Sequence, residues 1–190
     1  MIENKVTFVI PTIDRNTLKK SIDSLYGQTN NNWCAIIIYD GVEPNIDFSS
    51  DKIKTIKIPK TGIMGTHHGQ SGLVRNYGLD ICDTEWVAFL DDDDTVDSNY
   101  VETLLTKYND LDLVIWRMVY TNNMVIPRIG NDNIVFGNIG ISISFKKKFL
   151  DDGLRFKDNR DGEDFDIVKS IVEISDKYLI TNEVFYKVGF

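Results

Sequence analysis

Four consecutive aspartates, residues 91–94, have the clearest chemical potential in the sequence. Adjacent carboxylates repel one another, and burial makes the repulsion worse unless a cation offsets the charge. Hard ions such as Mg²⁺ and Mn²⁺ prefer carboxylate and phosphate oxygens, and an ion that bridges a diphosphate neutralises charge on a leaving group. Asp91 and Asp93 stand two residues apart, so in extended chain both carboxylates point to one side. The run therefore predicts a metal site for a diphosphate.

Two other interpretations of the acidic run compete with the diphosphate site. Counted from Asp91, oxygen-bearing residues fall at the ligand positions of an EF-hand loop, but Val96 stands where that loop needs glycine. The residues before the run also suggest a strand rather than a helix. A solvated acidic loop is the second alternative, because runs of charge are usually exposed. The apolar residues 87–90, which lead directly into the aspartates, argue against it.

The segments around the acidic run predict an α/β fold. A β-branched and aromatic run at residues 6–10, ended by Pro11 and Thr12, predicts a buried strand, and residues 33–39 and 85–90 predict two more. Segments of helical periodicity lie between such strands, so the first half shows the alternation that is typical of a largely parallel sheet. Open sheets of this kind bind ligands at the carboxyl ends of their strands, where the aspartates fall.

The second half of the sequence is richer in predicted strands. Residues 113–120 predict one strand, residues 122–123 a turn, and residues 178–188 a terminal hairpin. An amphipathic pattern predicts a last helix that begins near Glu163 and Asp164. Since no repeat, low-complexity tract or linker interrupts the 190 residues, a single domain is expected.

Composition restricts the classes of protein that remain. The hydrophobic content of 42% and the charged content of 26% are ordinary for a soluble domain. A formal net charge of -8 argues against general nucleic-acid binding, which needs a basic face. No apolar run reaches the length of a transmembrane segment. The two cysteines predict buried free thiols. A cytoplasmic location is expected, with peripheral attachment to a membrane-bound assembly as the alternative.

Four segments, in this order, resemble the family 2 glycosyltransferases of the GT-A fold. VTFVIPTIDRNTLKKSIDSLYGQT is similar to the family's first strand, turn and helix, and IIIYDG is similar to its second strand. GLVRNYGLDICDTEWVAFLDDDD is similar to its Arg-Asn helix start, strand and DxD-type aspartates, and GEDFDIV to its Glu-Asp motif. The resemblance, which covers residues 6–169, implies a GT-A Rossmann-like α/β/α sandwich with a mainly parallel mixed sheet.

The same resemblance implies roles for individual residues. Asp93 is expected to be the principal metal ligand with help from Asp91, and Asp164 the general base, with Glu163 as its neighbour and substitute. The residues that would bind the donor are Pro11, Thr12, Asp14, Arg15, Asp40, Gly41, Arg75, Asn76, Asp91 and Asp92. The residues considered for the acceptor side are Trp116, Arg117, Asn138 and His68. A structural alternative remains for several: Trp116 also fits the core, and an acidic pair also suits a helix N-terminus.

The function implied by the resemblance is that of a metal-dependent, inverting glycosyltransferase. A hexosyl or deoxyhexosyl group would pass from a UDP-, GDP- or dTDP-sugar to a hydroxyl of a glycan, lipid or protein-linked acceptor, with Mn²⁺ or Mg²⁺ as cofactor. Such transfer needs a base for the acceptor proton and stabilisation of the departing diphosphate. A nucleotidyltransferase that makes sugar nucleotides is one alternative, although PTIDRNT lacks its glycine-rich phosphate loop. A non-catalytic sugar-nucleotide or metal-binding module is another, and the presence of Asp164 argues against it.

The sequence departs from the family after the Glu-Asp segment. Family members often have a basic or histidine-bearing stretch there, and this tail contains no histidine. The two histidines of the chain, His67 and His68, instead precede Arg75 in a glycine-rich segment. Recognition of the acceptor is therefore the least defined part of the prediction.

Overall fold

A seven-stranded mixed sheet forms the centre of the fold in the computed structural model, which describes residues 5–61, 70–158 and 162–190. The helices are α1 (Leu18–Tyr26), α2 (Ser71–Leu79), α3 (Tyr100–Lys107), α4 (Lys148–Asp151) and α5 (Glu163–Val172). The strands are β1 (Val6–Thr12), β2 (Trp33–Asp40), β3 (Ile53–Ile58), β4 (Trp86–Phe89), β5 (Thr95–Val96), β6 (Leu113–Ile115), β7 (Met118–Tyr120), β8 (Val125–Ile126), β9 (Ile143–Lys146), β10 (Tyr178–Ile180) and β11 (Tyr186–Val188).

The strand that leads into the aspartates is the middle strand of this sheet. The order is β10-β6-β9-β4-β1-β2-β3, and β9 pairs antiparallel with both of its neighbours while the other pairs are parallel. The predicted α/β class with a mainly parallel mixed sheet is therefore confirmed. Because β1, β2 and β4 run in the same direction, the residues that follow them meet at one edge of the sheet.

The first strand continues through Pro11 and Thr12, so the prediction that Pro11 ends it is wrong. The carbonyl of Val9 accepts a hydrogen bond from the Leu90 N–H at 3.2 Å, on the β4 side. Two residues further on, Pro11 faces the same side, where pairing with β4 has already ended at Val9. Its missing N–H therefore costs no ladder hydrogen bond, and pairing of Pro11 with Ile38 on the β2 side continues.

The predicted strand at residues 113–120 is two strands that belong to different sheets. β6 lies in the seven-stranded sheet, whereas β7 lies in a second sheet of order β5-β11-β7-β8. The chain crosses between them at Trp116 and Arg117, whose N–H groups donate to the carbonyls of Ser142 and Glu183. The turn predicted between β7 and β8 is confirmed by their antiparallel pairing.

The predicted C-terminal hairpin is wrong. β10 pairs in parallel with β6 at the edge of the large sheet, and β11 inserts between β5 and β7 in the small sheet. Apolar alternation in a short segment shows that a strand forms but not which partner it takes, because many exposed strand edges offer the same backbone groups.

Helix α2 packs closely on β1 and β2. A Cβ at Gly78 would lie 2.7 Å from Val9 Cγ1 and 3.0 Å from Ile38 Cδ1, so a glycine is needed for this contact. The close approach holds the carboxyl-terminal part of α2 against β1 and β2. Of the helices in the described part of the chain, none combines the length and hydrophobicity required to cross a bilayer.

Candidate active site

The four aspartates form a tight turn at the end of β4 rather than extended chain. The Asp94 N–H donates to the Asp91 carbonyl at 3.1 Å, so the expected extended conformation is wrong. The turn nevertheless separates the carboxylates into two pairs. The side chains of Asp91 and Asp93 are 33% and 44% exposed, whereas Asp92 and Asp94 are almost fully buried. Asp91 and Asp93 are therefore the two acids of the run that can meet a ligand.

Residues from the β1 side hold the buried Asp92. The Thr12 hydroxyl donates to Oδ2 of Asp92 at 2.6 Å, and Nη1 of Arg15 donates to Oδ1 at 3.1 Å. The same Arg15 nitrogen donates to Oδ2 of Asp93 at 2.6 Å. Burial raises the pKa of Asp92 to about 6, although the Thr12 hydrogen bond and the Arg15 charge oppose the rise. Thr12 and Arg15, both expected near the donor, thus shape the aspartate turn.

Residues from the C-terminal strand hold the other end of the turn. The Asp91 N–H donates to the Tyr186 hydroxyl at 3.0 Å, and the Gly189 N–H donates to Oδ1 of Asp94 at 2.8 Å. The Tyr186 hydroxyl also bonds to Asp94. Burial and the charge of Asp91 raise the pKa of Asp94 to about 7. The sequence analysis missed Tyr186 and Gly189, because the position of β11 depends on pairings between segments far apart in the chain.

Arg75 joins the aspartate turn to the start of α5. Its side chain is only 3% exposed; Nη2 donates to Oδ1 of Asp91 at 2.6 Å and Nη1 to Oε1 of Glu163 at 2.9 Å. The Gly72 N–H donates to the second oxygen of Glu163 at 2.9 Å. The guanidinium is enclosed by protein carboxylates and connects two parts of the site. The expected contact of Arg75 with the donor stays a prediction.

Asp164 has the least satisfied carboxylate in this region. Its Oδ1 is buried and has no hydrogen-bond partner among the described residues, and Nη1 of Arg75 lies 3.9 Å away. Burial raises the pKa of Asp164 to about 7; the charge of Arg75 opposes this rise, and Glu163 and Asp91 add to it. A poorly solvated carboxylate with a pKa near neutrality can accept a proton from a ligand hydroxyl.

The other residues expected at the donor lie around the ends of β1 and β2. Asp40, 1% exposed, accepts a hydrogen bond from the Thr61 N–H at 2.5 Å. Gly41 adopts a φ of 72° and lies against Lys60, where a Cβ would come within 2.5 Å of Lys60 Cβ. Asp14, with a φ of 64°, accepts from the Asn45 N–H at 2.8 Å. Pro11, Thr12, Asp14, Arg15, Asp40 and Gly41 therefore share the edge at which the aspartates stand.

Asn76 is held by the segment that precedes α5. Its side-chain amide donates to the Phe156 carbonyl and accepts from the Phe156 N–H, both at 2.9 Å. These two hydrogen bonds fix α2 to that segment. The expected contact of Asn76 with the donor stays a prediction.

Two of the residues considered for the acceptor side are buried, which argues against direct contact with an acceptor. Trp116 is 0% exposed, and its indole N–H donates to the Ser144 hydroxyl at 3.1 Å. Arg117 is 0% exposed as well. Neither has surface to offer an acceptor. Asn138 lies in a surface loop, where its amide donates to the Asn133 carbonyl at 2.8 Å. His68 lies outside the residues that the structure describes.

The donor set can hold a divalent ion only together with a ligand. No three acidic, histidine or cysteine side chains among the described residues are grouped as a ready-made metal site. Magnesium-type ions are commonly bound by one or two carboxylates and by substrate phosphates, and Asp91 and Asp93 supply two partly exposed carboxylates. Within residues 5–61, 70–158 and 162–190, the six acids at 91–94 and 163–164 pair with Arg15 and Arg75 alone, and this excess of negative charge also favours a cation. The residues present therefore fit such an ion.

Solved structures with the same architecture are glycosyltransferases. *Staphylococcus aureus* TarS 1-349 in complex with UDP-GlcNAc aligns with a TM-score of 0.76 at 15% identity, over 97% of this chain and 58% of that one. A mannosyltransferase from *Pyrobaculum calidifontis*, PcManGT in complex with GDP-Man and Mn²⁺, aligns with a TM-score of 0.65 at 14% identity, over 98% and 57%. These likenesses confirm the expected GT-A fold.

The sequence comparison identifies the family. The model of "Glycosyl transferase family 2" matches residues 7–163, and the chain belongs to that family. Among curated relatives, the poly(ribitol-phosphate) β-N-acetylglucosaminyltransferase TarP of *Staphylococcus aureus* is 28% identical over 177 residues, which are 80% of this chain and 52% of TarP. The chain spans about half, or less, of the length of the curated relatives it matches.

Proposed function

We propose that this chain catalyses metal-assisted transfer of a hexosyl or deoxyhexosyl group from a nucleoside-diphospho-sugar to an acceptor hydroxyl, with inversion at the anomeric carbon. The observation that carries the proposal is the buried Asp164 oxygen, which has no hydrogen-bond partner in the described part of the chain and lies beside an acidic turn linked to it through Arg75. Family membership supports the same reaction class. An isolated carboxylate is suited to accept the proton of an acceptor hydroxyl. An acidic turn at the same sheet edge is suited to bind a diphosphate through a metal ion.

In the proposed reaction, Asp164 accepts the proton of the attacking hydroxyl. The acceptor oxygen forms a bond to the anomeric carbon while the bond from that carbon to the diphosphate oxygen breaks. The electron pair of the broken bond leaves with the nucleoside diphosphate, and Asp164 ends the step protonated. A single displacement inverts the configuration and requires no covalent enzyme intermediate, unlike the double displacement of retaining enzymes. Glu163, whose oxygens are occupied by Arg75 and Gly72, keeps the start of α5 in place.

Asp93, with Asp91, is the proposed holder of Mn²⁺ or Mg²⁺. A bound ion would supply charge stabilisation to the departing diphosphate. Arg15 bonds to both Asp92 and Asp93, so it orients the more exposed carboxylate of the turn. The presence of Mn²⁺ and GDP-Man together in PcManGT supports use of a divalent ion on this fold.

The proposed donor lies between the ends of β1 and β2 and the aspartate turn. Asp40 and Thr12 sit at adjacent strand ends, since Thr12 pairs with Tyr39 in the β1–β2 register. A UDP-, GDP- or dTDP-linked sugar is the proposed donor, and the UDP-GlcNAc and GDP-Man complexes of the structural relatives support this class. The acceptor is proposed to be a hydroxyl of a glycan, lipid or protein-linked group.

Calorimetry and product analysis test the proposal together. UDP or GDP is expected to bind at least tenfold more tightly with Mn²⁺ than with EDTA, and binding that ignores the metal would contradict the assigned ion. A panel of nucleotide sugars is then incubated with the chain, and free sugar and nucleoside diphosphate are measured. Asp164→Asn is expected to lower turnover by about 10²-fold or more while nucleotide binding persists. In a separate reaction with a nucleoside triphosphate and a sugar 1-phosphate, release of pyrophosphate would instead indicate a nucleotidyltransferase.

Glu173→Gln provides the matched control for the base. Glu173 follows α5 and its side chain is 61% exposed, so this variant loses one acidic charge near the far end of the helix that carries Asp164. Its turnover is expected to equal that of the wild type. Undiminished turnover in Asp164→Asn would remove Asp164 as the base.

A further inference from the structure

The ring of Phe136 is an exposed aromatic surface beside the start of α5. Its side chain is 65% exposed, although burial of an aromatic side chain is energetically favourable. The ring lies over Gly162, where a Cβ would come within 2.4 Å of Phe136 Cε2, and it meets Phe165 edge-to-face with centroids 6.1 Å apart. Gly162 and Phe165 flank Asp164 in sequence, so Phe136 stands next to the proposed base.

The strand order places Phe136 near the aspartate turn, on the side of β4 opposite the proposed donor. Residues 127–138, here called the 127–138 loop, precede β9, which pairs antiparallel with β4. The amino end of β9 therefore lies at the carboxyl end of β4, where the aspartate turn begins. The ends of β1 and β2 lie on the other side of β4 in the strand order. An acceptor that approaches Asp164 away from the donor meets the 127–138 loop.

Buried Arg117 holds this loop in position. Its Nη1 donates to the carbonyls of Pro127 at 2.8 Å and Arg128 at 2.6 Å, and its Nη2 donates to Oδ1 of Asp132 at 2.6 Å. Hydrogen bonds inside the loop, such as that from the Asn138 amide to the Asn133 carbonyl, add to this support. A charge buried to anchor a surface loop indicates that the position of the loop matters.

The chemistry of the loop favours an uncharged ligand with an apolar face. Residues 127–138 contain one arginine and one aspartate, so the loop has no net charge, and three of its residues are asparagines. A pyranose ring presents C–H groups on its faces and hydroxyls around its edge. An aromatic ring packs on the former and amide groups exchange hydrogen bonds with the latter. A polyol phosphate would favour an excess of cations, whereas the single arginine of this loop, Arg128, is balanced by Asp132.

We propose that Phe136 is the platform on which the acceptor rests, and that the acceptor presents a neutral pyranose ring there. This inference rests on the proposed transferase function, because it assigns the acceptor side of the same site. Phe136 would hold the ring by its face and so direct one hydroxyl toward Asp164. Arg117 is then a positioning residue that acts through the loop.

Saturation-transfer NMR on the full chain with UDP and Mn²⁺ tests the platform without requiring turnover. The probes are the methyl pyranosides of glucose, galactose, mannose and N-acetylglucosamine, with ribitol 5-phosphate as the charged, acyclic comparison. At least one pyranoside is expected to bind the wild type. Phe136→Ala is expected to weaken that binding by about tenfold, whereas Phe136→Tyr keeps the ring and the binding. Ile129→Ala is the matched control, because Ile129 is a 70% exposed apolar residue of the same loop.

The inference is overturned if no pyranoside binds, if ribitol 5-phosphate binds in their place, or if Phe136→Ala binds as the wild type does. Because Phe136 is mostly exposed, the alanine variant is expected to fold, and an unchanged melting temperature verifies this. Nucleotide binding by calorimetry is measured on the same samples. If Phe136→Ala binds both UDP and the pyranosides as the wild type does, only the platform is contradicted. If the wild type itself binds no nucleotide, the transferase function is contradicted.

Discussion

Nη1 of Arg75 lies 3.9 Å from Oδ1 of Asp164, near enough for charge attraction and too far for a hydrogen bond. The same guanidinium bonds directly to Asp91 and Glu163. One buried cation therefore interacts with three carboxylates, and its interaction with Asp164 is the weakest of the three. This arrangement leaves one acid of the site incompletely stabilised, which is costly for the fold and useful for proton transfer.

The stability of the ion-free protein is expected to fall with pH because of Asp164. Burial raises its pKa from 3.8 to about 7, so the folded state binds the proton more tightly than the unfolded state. The resulting stabilisation is fully present below about pH 4 and is lost as the pH rises through about 7. Asp164→Asn has no such charge, so its melting temperature is expected to exceed that of the wild type by roughly 3–6 °C at pH 8 and by less at pH 5.

Thermal unfolding in EDTA between pH 5 and pH 8 measures this difference. Glu173→Gln removes an exposed charge and is expected to run parallel to the wild type across the range. A difference between Asp164→Asn and the wild type that stays constant with pH would show that Asp164 has an ordinary pKa.

Removal of the Arg75 charge is expected to destabilise the fold strongly. Arg75→Met leaves the carboxylates of Asp91, Glu163 and Asp164 without their shared cation, at a cost of about 3–5 kcal/mol at pH 7.5. The cost is expected to shrink at pH 5, because the pKa of Asp164 is raised to about 7 and its carboxyl group is then neutral. Arg155→Lys, at a partly exposed arginine that pairs with Asp80, is the control and should cost no more than about 1 kcal/mol. Urea titrations measure both, and equal stability of the two variants would refute the shared-cation role.

The Tyr186 hydroxyl is expected to be required for the shape of the aspartate turn. Tyr186→Phe leaves the Asp91 N–H without its acceptor and removes a bond to Asp94, which should cost about 1–3 kcal/mol. Tyr178→Phe, at a 41% exposed position of β10, removes a hydroxyl from the edge of the other sheet. Its effect is expected to stay within about 0.5 kcal/mol. Comparable losses in the two variants by urea unfolding would count against the bridging role.

Substitutions of Asp93 and Asp94 are expected to differ in their effect on Mn²⁺-dependent UDP binding. Asp93→Asn removes a 44% exposed carboxylate, so Mn²⁺ should no longer strengthen UDP binding, while the fold is unaffected. Asp94→Asn changes a buried carboxylate that accepts from the Gly189 N–H, so it should alter stability and keep the Mn²⁺ effect. Calorimetry with UDP, in Mn²⁺ and in EDTA, decides between them, and loss of the effect in Asp94→Asn alone would shift the ligand assignment by one residue.

Local patterns in the sequence were sufficient for the first half of the fold. The continuous apolar runs that predicted strands became β1, β2 and β4. Consecutive parallel strands linked by helices bring their carboxyl ends to one edge by a general rule, so the placement of Asp40 at the same edge as the aspartate run could be predicted. The same rule does not apply to short antiparallel strands.

Local patterns did not predict the contacts between segments that lie far apart in the sequence. The charge of Arg75 and its position in a helix were visible, but its enclosure by Asp91 and Glu163 depends on how α2 meets α5. Trp116 and Arg117 likewise appeared as polar or aromatic candidates for an acceptor, whereas the chain buries both where it crosses from one sheet to the other.

The sequence by itself determined the parallel part of the sheet formed by β1, β2 and β4, the acidic run at its edge, and the family to which these motifs belong. Short-range periodicity and hydrophobicity decide these features, and each can be recognised within a few residues. Only the tertiary structure decided which aspartates are exposed, which tyrosine supports them, and where Phe136 stands. Those features depend on packing between segments far apart in the chain, which a linear pattern of residues does not specify.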